Sequence, residues 1–236
     1  MWTADALSSE ARPFRRDVWR VVEFQHRSAT MRLTDTLEDQ ALLEDILEDS
    51  KPPLPPSARN LDFLLFTPFR YVTYPHGSRF RRSGDLRGVY YASETVTTAV
   101  AEAAWGAWLF FRESPETILP ENPLRKTAFS VLCRTERYLD LTLPPLGRDR
   151  KVWTSPEDYS GCQALADEAR TANLDVIGYR SVRDPEEGKN AAILIPDLFR
   201  GRRVKDSQTW ELLVRRAGVR AWCDLPALRR EYEFPG

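Results

Sequence analysis

The chain has 236 residues, 42% hydrophobic and 29% charged, enough for one substantial core and ordinary for a globular protein. Its 34 basic and 35 acidic residues cancel, so no global field directs it to nucleic acid or to an anionic membrane. Three scattered cysteines (Cys133, Cys162, Cys223), no CxxC and only two histidines argue against a disulfide framework and a zinc site, and point to a reducing cytoplasm.

Residues 1–16 read as a polar arm without an export signal, because Asp5 and Glu10 interrupt any apolar run. Residues 17–236 read as a single domain. VWRVVEF (18–24) has the β-branched and aromatic content of a strand. DTLEDQALLEDILEDS (35–50) reads as an acidic amphipathic helix, with Asp35 and Glu38 as a capping box and Leu42, Leu43, Ile46 and Leu47 as its stripe. KPPLPP (51–56) ends it and acts as a rigid spacer, so 35–56 forms an inserted helix and spacer.

LDFLLFTPFRY (61–71) and GVYYAS (88–93) read as strands, and TVTTAVAEAAWGAWLFF (95–111) as a helix. That stretch is too short to cross a bilayer and contains Glu102. AFSVLCRTERYLDL (128–141) reads as two strands or a hairpin and SGCQALADEARTAN (160–173) as a helix. DVIGYRS (175–181), NAAILIP (190–196) and QTWELLVRR (208–216) read as strands, and PALRREYE (226–233) as a short terminal helix. Strands and helices mix without regular alternation, which sets the class as α+β.

Four features carry chemistry, each with a purely structural counterpart. GSRFRRSGDLRGVYY (77–91) places Arg79, Arg81, Arg82 and Arg87 around two glycines: a pyrophosphate grip or a solvated basic turn. Glu102 shares a narrow polar stripe with Thr95, Thr98 and Gly106: the lining of a polar pocket or the exposed line of a nearly buried helix. Ser160 opens a helix and fits a capping box with Gln163, while the same helix start can receive a phosphate or ribose hydroxyl. Arg20, inside the first strand, faces either solvent or a cleft.

In order and spacing these segments resemble the RES domain, from about Val18 to about Pro196. VYYASETVTTAVAE (89–102) is similar to the family's Tyr–Ala–Ser segment and glutamate helix, and SGCQALADEAR (160–170) to its serine segment. SRF with Gly84 is similar to its arginine–aromatic loop, and YRSVRDPEEGKNAAILIP (179–196) to a strand–loop–strand of many members. Arg81 stands where the family often has asparagine, and the stretch between Arg20 and Arg79 is longer than in compact members.

The resemblance implies an ADP-ribosyltransferase-like fold, with a mixed, split sheet flanked by helices. It implies NAD+ as substrate rather than bound cofactor, cleaved between nicotinamide and ribose by hydrolysis or phosphorolysis, or used for ADP-ribose transfer to a protein; a binding module that has lost the chemistry is the third reading. It also implies a toxin countered by an Xre-type antitoxin, with a homodimer left open. Residue by residue it points to Arg20, Arg79, Tyr90, Glu102 and Ser160, with Ser181 as a second candidate for the serine. In this reading Glu102 stabilises an oxocarbenium-like ribose, Arg79 and Arg20 hold phosphate oxygens, Tyr90 meets the nicotinamide half, and the serine orients the glutamate or the ribose.

Overall fold

The computed structural model describes residues 2–23, 34–70, 76–114 and 116–234. Eight strands form one mixed sheet: β1 (Arg12–Glu23), β2 (Tyr90–Ser93), β3 (Leu124–Asp140), β4 (Val176–Arg180), β5 (Lys189–Ile193), β6 (Ser207–Arg215), β7 (Gly218–Cys223) and β8 (Leu228–Glu233). Six α-helices accompany them: α1 (Ala4–Ser9), α2 (Leu37–Asp49), α3 (Phe63–Arg70), α4 (Val96–Glu113), α5 (Arg150–Trp153) and α6 (Ser160–Thr171). The strand order is β1-β2-β5-β4-β3-β6-β7-β8, and β1 also pairs with β3. Among the described residues only β3 and β4 run parallel. The fold is α+β, with a mixed, split sheet flanked by helices.

The split follows from the length of β3. One edge carries β1 along most of its length, from Arg12↔Tyr138 to Glu23↔Lys126. The other carries β4 near its end, at Tyr138–Asp140, and β6 near its start, at Leu124–Phe129. Five strands thereby close into a ring through β1, while β6, β7 and β8 extend from β3 as an antiparallel meander. β1 and β2 share a single register pair, Trp19↔Ser93. The cleft described below lies at this junction.

Three apolar clusters fill the layers. α1, α5 and α6 cover one with Leu7, Trp153, Leu165, Leu139 and Ile177. α3 covers a second with Leu65, Phe69, Phe129 and Tyr90. α4 covers the third, where Val100, Ala104 and Trp108 meet Trp210, Leu212 and Tyr232. Each fully buried Leu, Ile or Phe contributes roughly 1.5–3 kcal/mol from burial.

Several sequence expectations are corrected. Within the segment at 61–71, Phe63–Arg70 is helical: the Asp62 carboxylate accepts from the Leu64 amide at 3.0 Å, and its carbonyl from Leu65 and Phe66 at 2.9 and 3.1 Å. A short, continuous apolar run does not tell a strand from a buried helix, and Pro68 is the residue that disfavours a central strand. Of the segment at 128–141, residues 128–140 belong to one 17-residue strand rather than to two strands or a hairpin. The segment at 226–233 is no helix: Leu228–Glu233 is the edge strand β8, and β7 before it carried no expectation. Residues 3–16 are not an arm: they hold α1 and the first five residues of β1, with Leu7 fully buried. α2 is capped by Thr36, whose hydroxyl accepts from the Asp39 amide at 3.0 Å, rather than by Asp35. None of its residues is buried. Buried Arg70 holds its last turn through Glu48 at 2.6 Å and the Pro52 carbonyl at 2.8 Å.

Gly88 marks where α3 meets β2. A Cβ there would stand 2.2 Å from the Pro68 carbonyl oxygen and 2.7 Å from the Phe69 Cα, both backbone atoms. Gly88→Ala is expected to destabilise the fold by about 1–3 kcal/mol, read as a lowered urea midpoint at unchanged slope. An unshifted midpoint would show that α3 yields freely.

Candidate active site

A cleft of ≈ 500 Å³ is lined by Trp19 and Arg20 of β1, Arg79 of the basic loop, Tyr91 of β2, Glu102 and Trp105 of α4, and Asn190 of β5, among others. Its volume is that of a small-molecule site.

Glu102 follows from the local sequence of α4. Thr95 caps the helix, accepting from the Thr98 amide at 3.2 Å. Small apolar residues (Ala99, Val100, Ala101, Ala104) bury the faces around it. The carboxylate is gripped at one oxygen: Oε1 accepts from Ser181 Oγ at 2.7 Å and from Asn190 Nδ2 at 2.6 Å. Both donors are themselves oriented. Ser181 Oγ accepts from the amides of Arg183 (3.1 Å) and Asp184 (3.0 Å), which fills its lone pairs and leaves its proton for Glu102. Ser93 Oγ donates to Asn190 Oδ1 at 2.7 Å, which turns the amide nitrogen toward the carboxylate.

Three guanidinium groups, those of Arg20, Arg79 and Arg183, line the cleft without an ion-pair partner among the described residues. Arg79 donates to the Trp153 carbonyl at 2.8 Å and stacks 4.5 Å above the Tyr159 ring. Arg20 donates to the Tyr91 carbonyl at 3.0 Å and lies 4.9 Å over the Tyr90 ring. Burial holds the Arg20 guanidinium below its ordinary range, while Tyr90 acts in the opposite direction. The third, Arg183, lies 3.8 Å over Trp105.

The basic loop divides its arginines. Arg79 enters the cleft, whereas Arg82 and Arg87 bind Asp167 on the surface at 2.7 and 3.3 Å. Arg87 also clasps Asp85, whose carboxyl its hydrogen bond holds down to about 2 against the opposing effect of partial burial. The loop is fixed from two sides. Tyr91 Oη contacts Ser78 Oγ at 2.8 Å and accepts from the Phe80 amide at 3.0 Å. Gln163 Nε2 donates to the carbonyls of Ser78 and Arg81 at 3.0 and 3.2 Å.

Of the residues singled out from sequence, the structure brings Arg20, Arg79 and Glu102 to one cleft, with Ser181 bonded to Glu102. It does not bring Tyr90 or Ser160 there. Tyr90 is fully buried in the core beneath Arg20, packed on Phe69 and Phe199, because alternation along β2 turns it away and presents Tyr91 instead. Ser160 is exposed at the start of α6 and forms no capping box: Asp158 accepts from its amide at 2.9 Å, and Gln163 is committed to the basic loop. Asn190, Tyr91, Trp105 and Tyr159 escaped sequence reasoning. Only Asn190 had an available signal, as a polar residue opening an apolar strand two positions past a glycine.

These features define an α+β protein with a small-molecule-sized cleft, one clamped carboxylate and arginine walls. The chain belongs to the RES domain family: the model of the RES domain matches residues 54–215. That stretch contains every cleft residue named above except Trp19 and Arg20. Among solved structures, the one described as "Crystal structure of the M.tuberculosis MbcT-MbcA toxin-antitoxin complex" is similar at 14% identity, covering 86% of this chain and 89% of that one, with a TM-score of 0.49. No curated protein matches. No helix among the described residues is long and apolar enough to cross a membrane.

Proposed function

We propose that this protein consumes NAD+ by cleaving the bond between nicotinamide and ribose, as the toxin of a toxin–antitoxin pair restrained by an Xre-type protein. The observation that carries the reading is the Glu102 carboxylate, held at Oε1 by Ser181 and Asn190 in a cleft that also holds Arg20 and Arg79 without acid partners. The toxin role and the antitoxin rest on the resemblance to RES proteins alone.

The chemistry fits the residues. The C–N bond breaks with its electron pair going to the pyridinium nitrogen, so nicotinamide leaves neutral and needs no strong general acid. The ribose is left as an oxocarbenium-like cation, and a fixed negative charge in a partly dry cleft stabilises it. Glu102 supplies that charge. The Ser181 proton is committed to the carboxylate, so Ser181 orients Glu102 rather than attacking the substrate. Arg79 and Arg20 offer donors to a diphosphate. Trp19, Trp105 and Tyr159 line the cleft beside them, Tyr159 carrying Arg79 and Trp105 carrying Arg183. Capture of the sugar by water gives ADP-ribose, and capture by phosphate gives its 1″-phosphate.

The test is incubation of purified protein with NAD+, with and without phosphate, and chromatography of the products. Nicotinamide release at a rate proportional to enzyme supports the reading, and the second product names the acceptor. Label from NAD+ carried onto one protein band in cell extract would place the activity in ADP-ribosyl transfer instead. Intact NAD+ after prolonged incubation with folded protein would overturn the proposal.

A further inference from the structure

Thr98 precedes Glu102 by one helical turn, so the two side chains leave the same face of α4. The loop at 181–188 meets that face at two points. Ser181 donates to Glu102, and Thr98 Oγ1 donates to Asp184 Oδ2 at 2.8 Å. Asp184 is 8% exposed and has no basic partner among the described residues. Its carboxylate is met by neutral donors: the Thr98 hydroxyl, the Glu186 amide at 3.0 Å and the Gly188 amide at 3.3 Å.

Burying a carboxylate among neutral donors is a costly way to close a loop. The surrounding sequence is shaped to allow it. A Cβ on Gly188 would stand 2.1 Å from Thr98 Oγ1 and 2.7 Å from Asp184 Oδ2. Thr95 Oγ1 lies 2.8 Å from Thr98 Oγ1, so the cap of α4 joins the same network. The Asp184 amide is also one of the two that fill the Ser181 lone pairs. Moving Asp184 therefore moves the group that aims the Ser181 proton.

We infer that Thr98 and Asp184 are positioning residues: a second anchor, one turn from Glu102, that sets the 181–188 loop on α4 and so directs the Ser181 hydroxyl to the Glu102 carboxylate. Neither touches the substrate. The inference rests on the proposed role of Glu102 for its kinetic consequence, but the placement of Ser181 is a structural claim in its own right.

The experiment compares Thr98→Val, which removes the hydroxyl at nearly constant shape, with Thr98→Ser, which restores it, and Asp184→Asn as the independent variant. Steady-state NAD+ turnover and a crystal structure are obtained for each. Thr98→Val and Asp184→Asn should lose about 10- to 100-fold in kcat, the scale of a small misplacement of a reacting group, with KM nearly unchanged. Thr98→Ser should keep kcat within about twofold of the parent. In the Thr98→Val crystal structure Ser181 Oγ should no longer bond Glu102. A protein that melts earlier yet keeps the parental kcat per folded molecule, or that retains the 2.7 Å Ser181–Glu102 bond, overturns the inference. If the parent itself releases no nicotinamide, the proposed reaction fails, and the crystal structures alone decide the positioning claim.

Discussion

Glu102→Gln should release nicotinamide at least about 100-fold more slowly than the parent, the scale for removing one electrostatic group that acts on a developing charge. The substitution is informative because it leaves the clamp intact. A glutamine side-chain oxygen still accepts from Ser181 and Asn190, so packing and orientation survive while the negative charge disappears. The loss should fall on kcat, since the oxocarbenium-like cation exists only near the transition state. Glu102→Ala should fall at least as far. Near-parental turnover by folded Glu102→Gln protein would remove Glu102 from the chemistry and leave it a structural link between α4 and β5.

Arg79→Ala should lower kcat/KM by about 30-fold or more, corresponding to roughly 2 kcal/mol or more for truncating a buried, hydrogen-bonded charge. The guanidinium is presented by the Trp153 carbonyl behind it and the Tyr159 ring beneath it, which fixes its plane before any ligand arrives. Arg79→Lys keeps the charge but cannot reproduce that fixed fork, and most of the loss should remain. Arg79 also ties the basic loop to α5, so unfolding midpoints must accompany the kinetics. A lower midpoint with parental kcat/KM per folded molecule would make Arg79 a staple and not a ligand-binding group.

Much of this site was legible in the sequence because it depends on local rules. The apolar faces of the 95–111 segment set Glu102 on a narrow polar line with Thr98, and that segment is a helix, although Thr95 is its cap and not part of it. The two misplaced residues failed for different physical reasons. In VYYAS the two tyrosines are adjacent, and a shift of one position along a strand changes the face; only the pairing of β2 with β5 fixes which ring meets the cleft. For Ser160 the local capping pattern was real, but Gln163 finds a better use across the molecule, on the carbonyls of Ser78 and Arg81. Long-range partners of this kind leave no mark at helical or strand spacing. The strand missed at 218–223 and the one read as a helix at 226–233 have the same origin, because β7 and β8 owe their state to the sheet beside them rather than to strong patterns of their own. His26, Tyr71 and their neighbours at 24–33 and 71–75 lie outside the described residues.

The outer strand of the meander has a consequence for self-association. Among the described residues, the outer strand of the meander is β8. Four of its six residues, Arg229, Arg230, Glu231 and Glu233, are charged. Unpaired amides and carbonyls along such a border invite a stray chain to add itself, and charged side chains deter it. The meander thus keeps its outer seam guarded.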